Sequence, residues 1–204
     1  MSVNWQELVD ELKPWHYCHQ FPNDVVTGTS IPDWNEKLDV LTAAGAWPKP
    51  EYPRVLDLGA NSGLFSMWFA DNKRSVVDAV EYGNKEPQFA KAYQQLCLAT
   101  FAKGYEDAVM PLHKNIIEGD YGTDEYDLII FLGVLHHLAA PYHNVVFTSC
   151  LDALKPGASI VVQTKPEMMV PQKLRTAGFE NISQLPNYRQ QERLAWTANK
   201  PKKS

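Results

Sequence analysis

The chain has 204 residues, 45% of them hydrophobic and 21% charged. That is an ordinary composition for one soluble globular domain with at most a short extension, and roughly 70% of the unfolded surface can be buried at this length, so no disulfide or metal staple is needed. No apolar run approaches the ~20 residues of a membrane span, the opening Met1-Ser2-Val3-Asn4-Trp5 lacks the pattern of a secretory signal, and the net charge of −5 is unevenly divided.

Residues 1–172 carry 12 Lys and Arg against 22 Asp and Glu, whereas residues 173–204 carry 7 against 2. The body therefore repels a phosphate backbone, and only the C-terminal edge with Lys200, Lys202 and Lys203 attracts one. In chain order, residues 4–13 read as an amphipathic helix: Asn4 can cap it, Glu7 follows three residues on, and Leu8, Val9 and Leu12 share a face. Pro14 ends it. Residues 15–33 are irregular and aromatic, broken by Pro22, Gly28 and Pro32; residues 34–44 form a short helix, and Pro48, Pro50 and Pro53 a stiff linker.

From residue 54 the texture changes. Strands at 54–58, 75–81, 108–112, 127–132 and 159–164 alternate with helices at 62–70, 86–101, 142–154 and 168–177. Pro87 suits the first turn of its helix, and Pro156-Gly157 stops the helix before it. Strands separated by helices imply βαβ units and a mostly parallel sheet. Pro111 assigns its strand to a sheet edge. The last two strands, 179–185 and 193–199, have no helix between them and should pair antiparallel. The division is a cap and linker over 1–53 and a sheet domain over 54–204. Cys18, Cys97 and Cys150 form no CxxC pair and cannot all pair, which points to a reducing, cytoplasmic setting. His16, Cys18 and His19 match no structural zinc spacing, so no metal is expected.

The chemistry concentrates in Val55-Leu56-Asp57-Leu58-Gly59-Ala60-Asn61-Ser62-Gly63. A buried strand runs into a small-residue loop and then a helix, so backbone can approach a ligand closely and free N–H groups are on offer. The phosphate-gripping P-loop needs a lysine that is absent here. The dinucleotide fingerprint places its third glycine where Leu64 stands.

The pattern that remains, apolar-Asp-apolar-Gly-x-x-x-Gly, resembles motif I of class I S-adenosylmethionine-dependent methyltransferases, with Asn61 in place of the usual middle glycine. Asparagine tolerates left-handed backbone. The resemblance continues through Glu81 at the end of the second strand, through Tyr126-Asp127-Leu128-Ile129-Ile130-Phe131-Leu132-Gly133-Val134-Leu135-His136-His137-Leu138, through Leu154-Lys155-Pro156-Gly157, and through Ala177-Gly178-Phe179. It implies a Rossmann-like α/β fold: a seven-stranded, mostly parallel sheet with one antiparallel strand behind a short helical cap. It also implies methyl transfer from S-adenosyl-L-methionine. A narrower resemblance, to the tRNA wobble-uridine modification group, lies in Trp15-His16-Tyr17-x-x-x-Phe21, Val25-Val26-Thr27-Gly28-Thr29 and Trp34. It extends to Gly133-Val134-Leu135-His136-His137-x-x-x-Pro141, where His136 replaces that group's tyrosine. That group includes the 5-methoxyuridine-type methyltransferase and its carboxymethyl-transferring relatives.

These resemblances imply residue roles. Gly59, Asn61 and Gly63 form the cofactor loop, and Asp57 orients it and meets the methionine end of the cofactor, or simply caps the loop. Glu81 accepts the ribose hydroxyls. Asn115 and Ile116 frame the adenine or are plain loop. Leu132 and Gly133 line the sulfonium region. His136 and His137 sit where ligands bind in open α/β sheets; one is a base or packs beneath the cofactor. Trp15, His16, Tyr17 and Trp34 form an aromatic lid over the substrate or pack in the core. The acidic body favours a small-molecule acceptor. The alternatives are a tRNA wobble-uridine modifier and a cofactor-binding subunit that acts through a partner. Oligomeric state is not encoded in any readable feature, and no membrane partner is expected.

Overall fold

In this computed structural model the described residues are 3–28, 32–83, 86–87, 89–186 and 193–203, with the side chains of residues 32–36 outside the description. Helix α1 (Trp5–Glu11) is capped as its sequence requires: Asn4 Oδ1 accepts from the Glu7 N–H at 3.3 Å, and Asn4 Nδ2 donates back to the Glu7 carboxylate at 3.0 Å. Val9 is buried on its inner face, but Leu8 is exposed rather than sharing it. Helix α2 is Pro32–Ala43.

The strands are β1 (Arg54–Leu58), β2 (Val76–Glu81), β3 (Val109–His113), β4 (Tyr126–Leu132), β5 (Leu154–Thr164), β6 (Glu180–Gln184) and β7 (Leu194–Asn199). Between them lie α3 (Leu64–Lys73), α4 (Ala92–Ala102), α5 (Tyr142–Ala153) and α6 (Val170–Ala177). They form one seven-stranded sheet in the order β3-β2-β1-β4-β5-β7-β6. Strands β1 to β5 run parallel to one another, and β7 is antiparallel to both β5 and β6. Pro111 does lie on the edge strand, where its missing N–H costs no ladder bond.

The central strands are apolar on both faces because helices cover both. Their side chains alternate between two cores with the period of a strand. Leu56, Leu58, Ile129, Phe131 and Val162 pack with Phe147 and Leu174 on the α5–α6 side. Val55, Val77, Leu128, Ile130 and Val161 pack on the other, which also contains Phe69, Leu96 and, from the N-terminal segment, Val9, Trp15, Tyr17 and Phe21.

Two elements differ from the sequence reading. The helix expected over 86–101 begins only at Ala92. Before it the chain folds back, with the Phe89 and Ala90 N–H groups donating to Glu86 O and Ala90 O lying 3.1 Å from where a Cβ on Gly83 would sit. The helix expected over 142–154 ends at Ala153, and Pro156-Gly157 belong to β5. There the register passes from Tyr126↔Leu154 to Leu128↔Ser159, so β5 carries an extra loop of chain that β4 does not match. A proline is tolerated at such a bulge.

The order reverses between β1 and β4: the chain first builds outward through β2 and β3, then returns to the other side of β1. Ligands in open α/β sheets lie outside the strand ends at this switch point. Register brings several residues to that edge. Glu81 pairs with His113, Leu132 with Gln163, and Thr164 with Leu194, so Gly133, Lys165 and Arg193 follow or precede their strands at one end of the sheet.

Candidate active site

The loop after β1 is built from left-handed residues: Gly59 has φ +77°, Asn61 +52° and Gly63 +85°. At Gly59 a side chain is excluded twice over, because a Cβ there would lie 2.4 Å from Val134 Cγ2. Asn61 holds the loop from within: its Oδ1 accepts from the Ser62 N–H at 2.8 Å, and its own N–H donates to Glu81 Oε2 at 2.8 Å. The Gly59 and Ala60 N–H groups both donate to Val80 O. Gly63 caps α3, and a Cβ on it would meet Leu96 Cδ1 at 2.5 Å. Its smallness serves the packing of α3 on α4 rather than the cavity wall.

Along this edge runs a cavity of about 620 Å³. Asn115 and Ile116 line it beyond β3, Glu81 at the end of β2, and Gly59 and Asn61 beyond β1. Leu132, Gly133, His136 and His137 line it around the end of β4, and His16 and Tyr17 close it from the N-terminal segment. Glu81 Oε1 accepts from the Tyr82 and Gly83 N–H groups at 2.9 and 2.7 Å, so the carboxylate clamps its own turn to the glycine loop.

Asp57 is 2% exposed and lies beneath the loop, away from the cavity wall. Its Oδ2 accepts from Ser66 Oγ at 2.6 Å, tying the end of β1 to α3. Burial pushes its carboxyl up to about 7. Trp15 is also absent from the cavity wall, which corrects its place in a lid. It is 8% exposed, its indole N–H donates to Val9 O at 2.9 Å, and its ring packs edge-on against Phe21 at 5.4 Å. An indole whose N–H finds a backbone partner inside the core is a packing residue. The Trp34 side chain lies outside the described residues, although its backbone belongs to α2.

The adjacent histidines lie ring to ring at 4.3 Å. His136 Nδ1 is 3.2 Å from Thr164 Oγ1, and Phe89 meets His137 edge-on at 5.8 Å. Burial, then repulsion from His137, Arg193, Lys165 and Lys37, pushes His136 down to about 4. His137 is also lowered, chiefly by burial, against a pull from Glu86. Both are therefore neutral near pH 7.

Three cations at this end were not read from the sequence. Lys165 and Arg193 line the cavity. Lys37 is 2% exposed behind it, 5.1 Å from the Phe65 ring centroid, and burial lowers its ammonium to about 7. Lys37 Nζ and Gln163 Oε1 each lie 3.5 Å from the point a Cβ on Gly133 would occupy. Lys165 and Arg193 were within reach of the sequence: Lys165 follows one predicted strand and Arg193 begins another. Lys37 carried no such signal, because its helix is brought there only by tertiary packing.

A sheet of this order, with a left-handed loop after β1 and an acid ending β2, defines the class I methyltransferase architecture. Residues 32–200 match the family described as a methyltransferase domain, and the chain belongs to that family. It is similar to the tRNA U34 carboxymethyltransferase of Methylococcus capsulatus, with 28% identity over 156 residues, covering 75% of this chain and 44% of that protein. Its fold is similar to the S-adenosylmethionine-dependent methyltransferase SibL in its apo form (TM-score 0.66, 15% identity, 83% of this chain and 56% of that one). It is also similar to the Burkholderia thailandensis 1,6-didemethyltoxoflavin-N1-methyltransferase with bound 1,6-didemethyltoxoflavin and S-adenosylhomocysteine (TM-score 0.60, 19% identity, 82% and 80%). The chain thus spans less than half of that curated relative's length and little more than half of SibL's. Among the described residues no helix is long and apolar enough to cross a membrane, and no cluster of three or more ligating side chains suits a metal ion.

Proposed function

We propose that this chain transfers a methyl group from S-adenosylmethionine to a small-molecule acceptor. The observation that carries the reading is the cavity in which the Glu81 carboxylate and the left-handed loop Gly59–Asn61 stand side by side at the switch point. The residues fit the cofactor. Gly59 and Asn61 bring loop backbone to the cavity wall, and the cavity volume of about 620 Å³ falls within the range of ligand pockets. A carboxylate has about four lone-pair positions, and three backbone N–H groups already use Glu81. One position on Oε2 is left for a ribose hydroxyl; a second hydroxyl must displace the Tyr82 or Gly83 N–H. Asn115 and Ile116 would frame the adenine, and Leu132 and Gly133 the sulfonium end.

Bound there, the cofactor supplies an electrophilic methyl carbon. The chain's part is alignment and proton handling. Holding acceptor and carbon in line contributes ~7–11 kcal/mol. His137, neutral and on the cavity wall, takes the acceptor's proton, a contribution of ~10²–10⁴-fold. Thr164 orients His136 beside it. The segment 1–53 acts as a cap over 54–204, with His16 and Tyr17 toward the acceptor. Three free thiols support a reducing, cytoplasmic setting.

A second reading, modification of a tRNA wobble uridine, is favoured by the Methylococcus relative's name. Charge weighs against it. The basic C-terminal edge is partly neutralised, because Lys200 and Lys203 both pair with Asp124, at 2.8 and 2.7 Å. A purely cofactor-binding subunit would need the loop and Glu81 but has no use for His136 and His137 on the cavity wall.

The test is calorimetry with S-adenosylhomocysteine. Wild type is expected to bind, and Glu81→Ala to lose at least about tenfold in affinity while staying folded, since charge-assisted bonds are among the strong ones. Equal affinity in both proteins would refute the Glu81 assignment; no binding by wild type would refute the methyltransferase reading. Turnover of labelled S-adenosylmethionine with tRNA but with no metabolite pool would select the second reading.

A further inference from the structure

We infer that the acceptor in the proposed reaction is a small anion, carrying a carboxylate or phosphate group that Arg193 and Lys165 hold. The inference rests on the methyltransferase reading above and deepens it.

The cavity is polarised along the sheet edge. Among its described lining residues Glu81, at the β2 end, is the only carboxylate. At the β4–β5–β7 end stand Lys165 and Arg193, with His136 and His137 beside them. Arg193 Nη1 lies 2.8 Å from where a Cβ on Gly133 would be, so the guanidinium covers the backbone just beyond β4. The cofactor half is thus served by an acid and by backbone and the acceptor half is lined by cations, with the Glu86 carboxylate acting on His137 from outside the lining.

These cations are set apart from the rest of the molecule. The chain has 24 acids for 19 Lys and Arg, and several cations elsewhere on the sheet domain are ion-paired: Arg54 with Asp78 and Glu125, Lys155 with Asp127, and Lys200 with Asp124. Among the described residues neither Arg193 nor Lys165 forms an ion pair. Two like charges held in a partly closed cavity repel each other and any sulfonium beside them, and an anion between them removes both penalties. The guanidinium fork matches a carboxylate or phosphate edge with two parallel bonds. An acidic exterior excludes a polyanion while this recess admits a small one.

The chemistry closes without another reactant. The acceptor's oxygen or nitrogen bonds to the methyl carbon as the carbon–sulfur bond breaks and its electron pair passes to sulfur. The acceptor's proton goes to His137 and then to solvent.

The experiment titrates the protein, saturated with S-adenosylhomocysteine, with inorganic phosphate, acetate and benzoate, and with benzamide as the neutral control. Binding is read by calorimetry and thermal shift. At least one anion is expected to bind and benzamide to fail. Arg193→Gln and Lys165→Gln are each expected to weaken the anion about tenfold or more, with Arg193→Lys intermediate because it keeps the charge and loses the fork. Affinity for S-adenosylhomocysteine should stay within about threefold. The inference is overturned if no anion binds, if benzamide binds as well as benzoate, or if the variants bind anions unchanged. It is also overturned if they lose S-adenosylhomocysteine instead, which would assign the cations to the cofactor's own carboxylate. Variant-sensitive anion binding by a protein that ignores S-adenosylhomocysteine would uphold the cation site and refute the methyltransferase reading.

Discussion

Replacing Gly59 with alanine separates two contributions to the shape of the cofactor loop. The residue sits at φ +77°, and its new methyl would lie 2.4 Å from Val134 Cγ2 and 3.0 Å from Cγ1. The left-handed backbone alone costs a residue with a Cβ ~1–2 kcal/mol. Forcing a methyl against Val134 adds ~1–3 kcal/mol, the usual range for overpacking. The expected total is ~2–5 kcal/mol, read by urea unfolding, and S-adenosylhomocysteine binding should fall because the loop must shift away from Glu81. A second substitution apportions the loss. In a Val134→Ala background both Cγ atoms are gone and only Cβ, at 3.2 Å, remains nearby. Gly59→Ala should then cost only its backbone part, giving a coupling energy of ~1–3 kcal/mol between the two sites. A cost of less than ~0.5 kcal/mol in wild type, or the same cost in both backgrounds, would refute the reasoning.

The buried pair Asp57 and Lys37 should give stability an unusual pH profile. The Asp57 carboxyl stands at about 7 against an ordinary 3.8, so its stabilising contribution is full at low pH and is lost as pH rises through that window. Lys37, at about 7 against 10.5, contributes fully at high pH and loses it as pH falls toward 7. Asp57→Asn should flatten the acid limb of urea stability and Lys37→Met the alkaline limb; profiles unchanged by both substitutions would refute the burial argument. His137→Ala should lower kcat by ~10²–10⁴ with little change in S-adenosylhomocysteine affinity, and equal loss in both would deny it a role as base. Trp15→Ala should cost ~3–5 kcal/mol of stability, and an altered acceptor KM at unchanged stability would restore it to the lid.

The parts of this protein that were readable in advance are those where local chemistry and tertiary role agree. Residues 128–132 of β4 are a continuous apolar run because both faces are covered, and the loop between β1 and α3 is small because backbone must pass Val134 closely. Asn61 takes the left-handed position that its side chain tolerates. The failures arise where one local pattern suits two environments. An aromatic residue in a broken segment reads equally as lid or core, and only the fold shows that the Trp15 N–H reaches Val9 O while His16 and Tyr17 turn to the cavity. Pro87 is favoured at a helix start, yet the chain there is spent on a fold-back over Gly83 that carries Phe89 to the cavity. Asp57 belongs to the motif, but its carboxylate is committed to Ser66.

Strand β7 follows β6 in the chain yet lies between β5 and β6. During synthesis β6 therefore emerges with no neighbour to pair with, and β5 presents an open edge, until β7 slides between them. The residue that precedes this strand is Arg193. Closing the sheet and delivering the guanidinium are one event, so a nascent chain can complete Gly59, Glu81 and Gly133 before Arg193 joins them on the cavity wall. A polypeptide interrupted before residue 193 would combine an unprotected strand edge, the usual seed of aggregation, with an incomplete cavity wall. The step that hides the sticky edge is then the same step that completes the cavity wall.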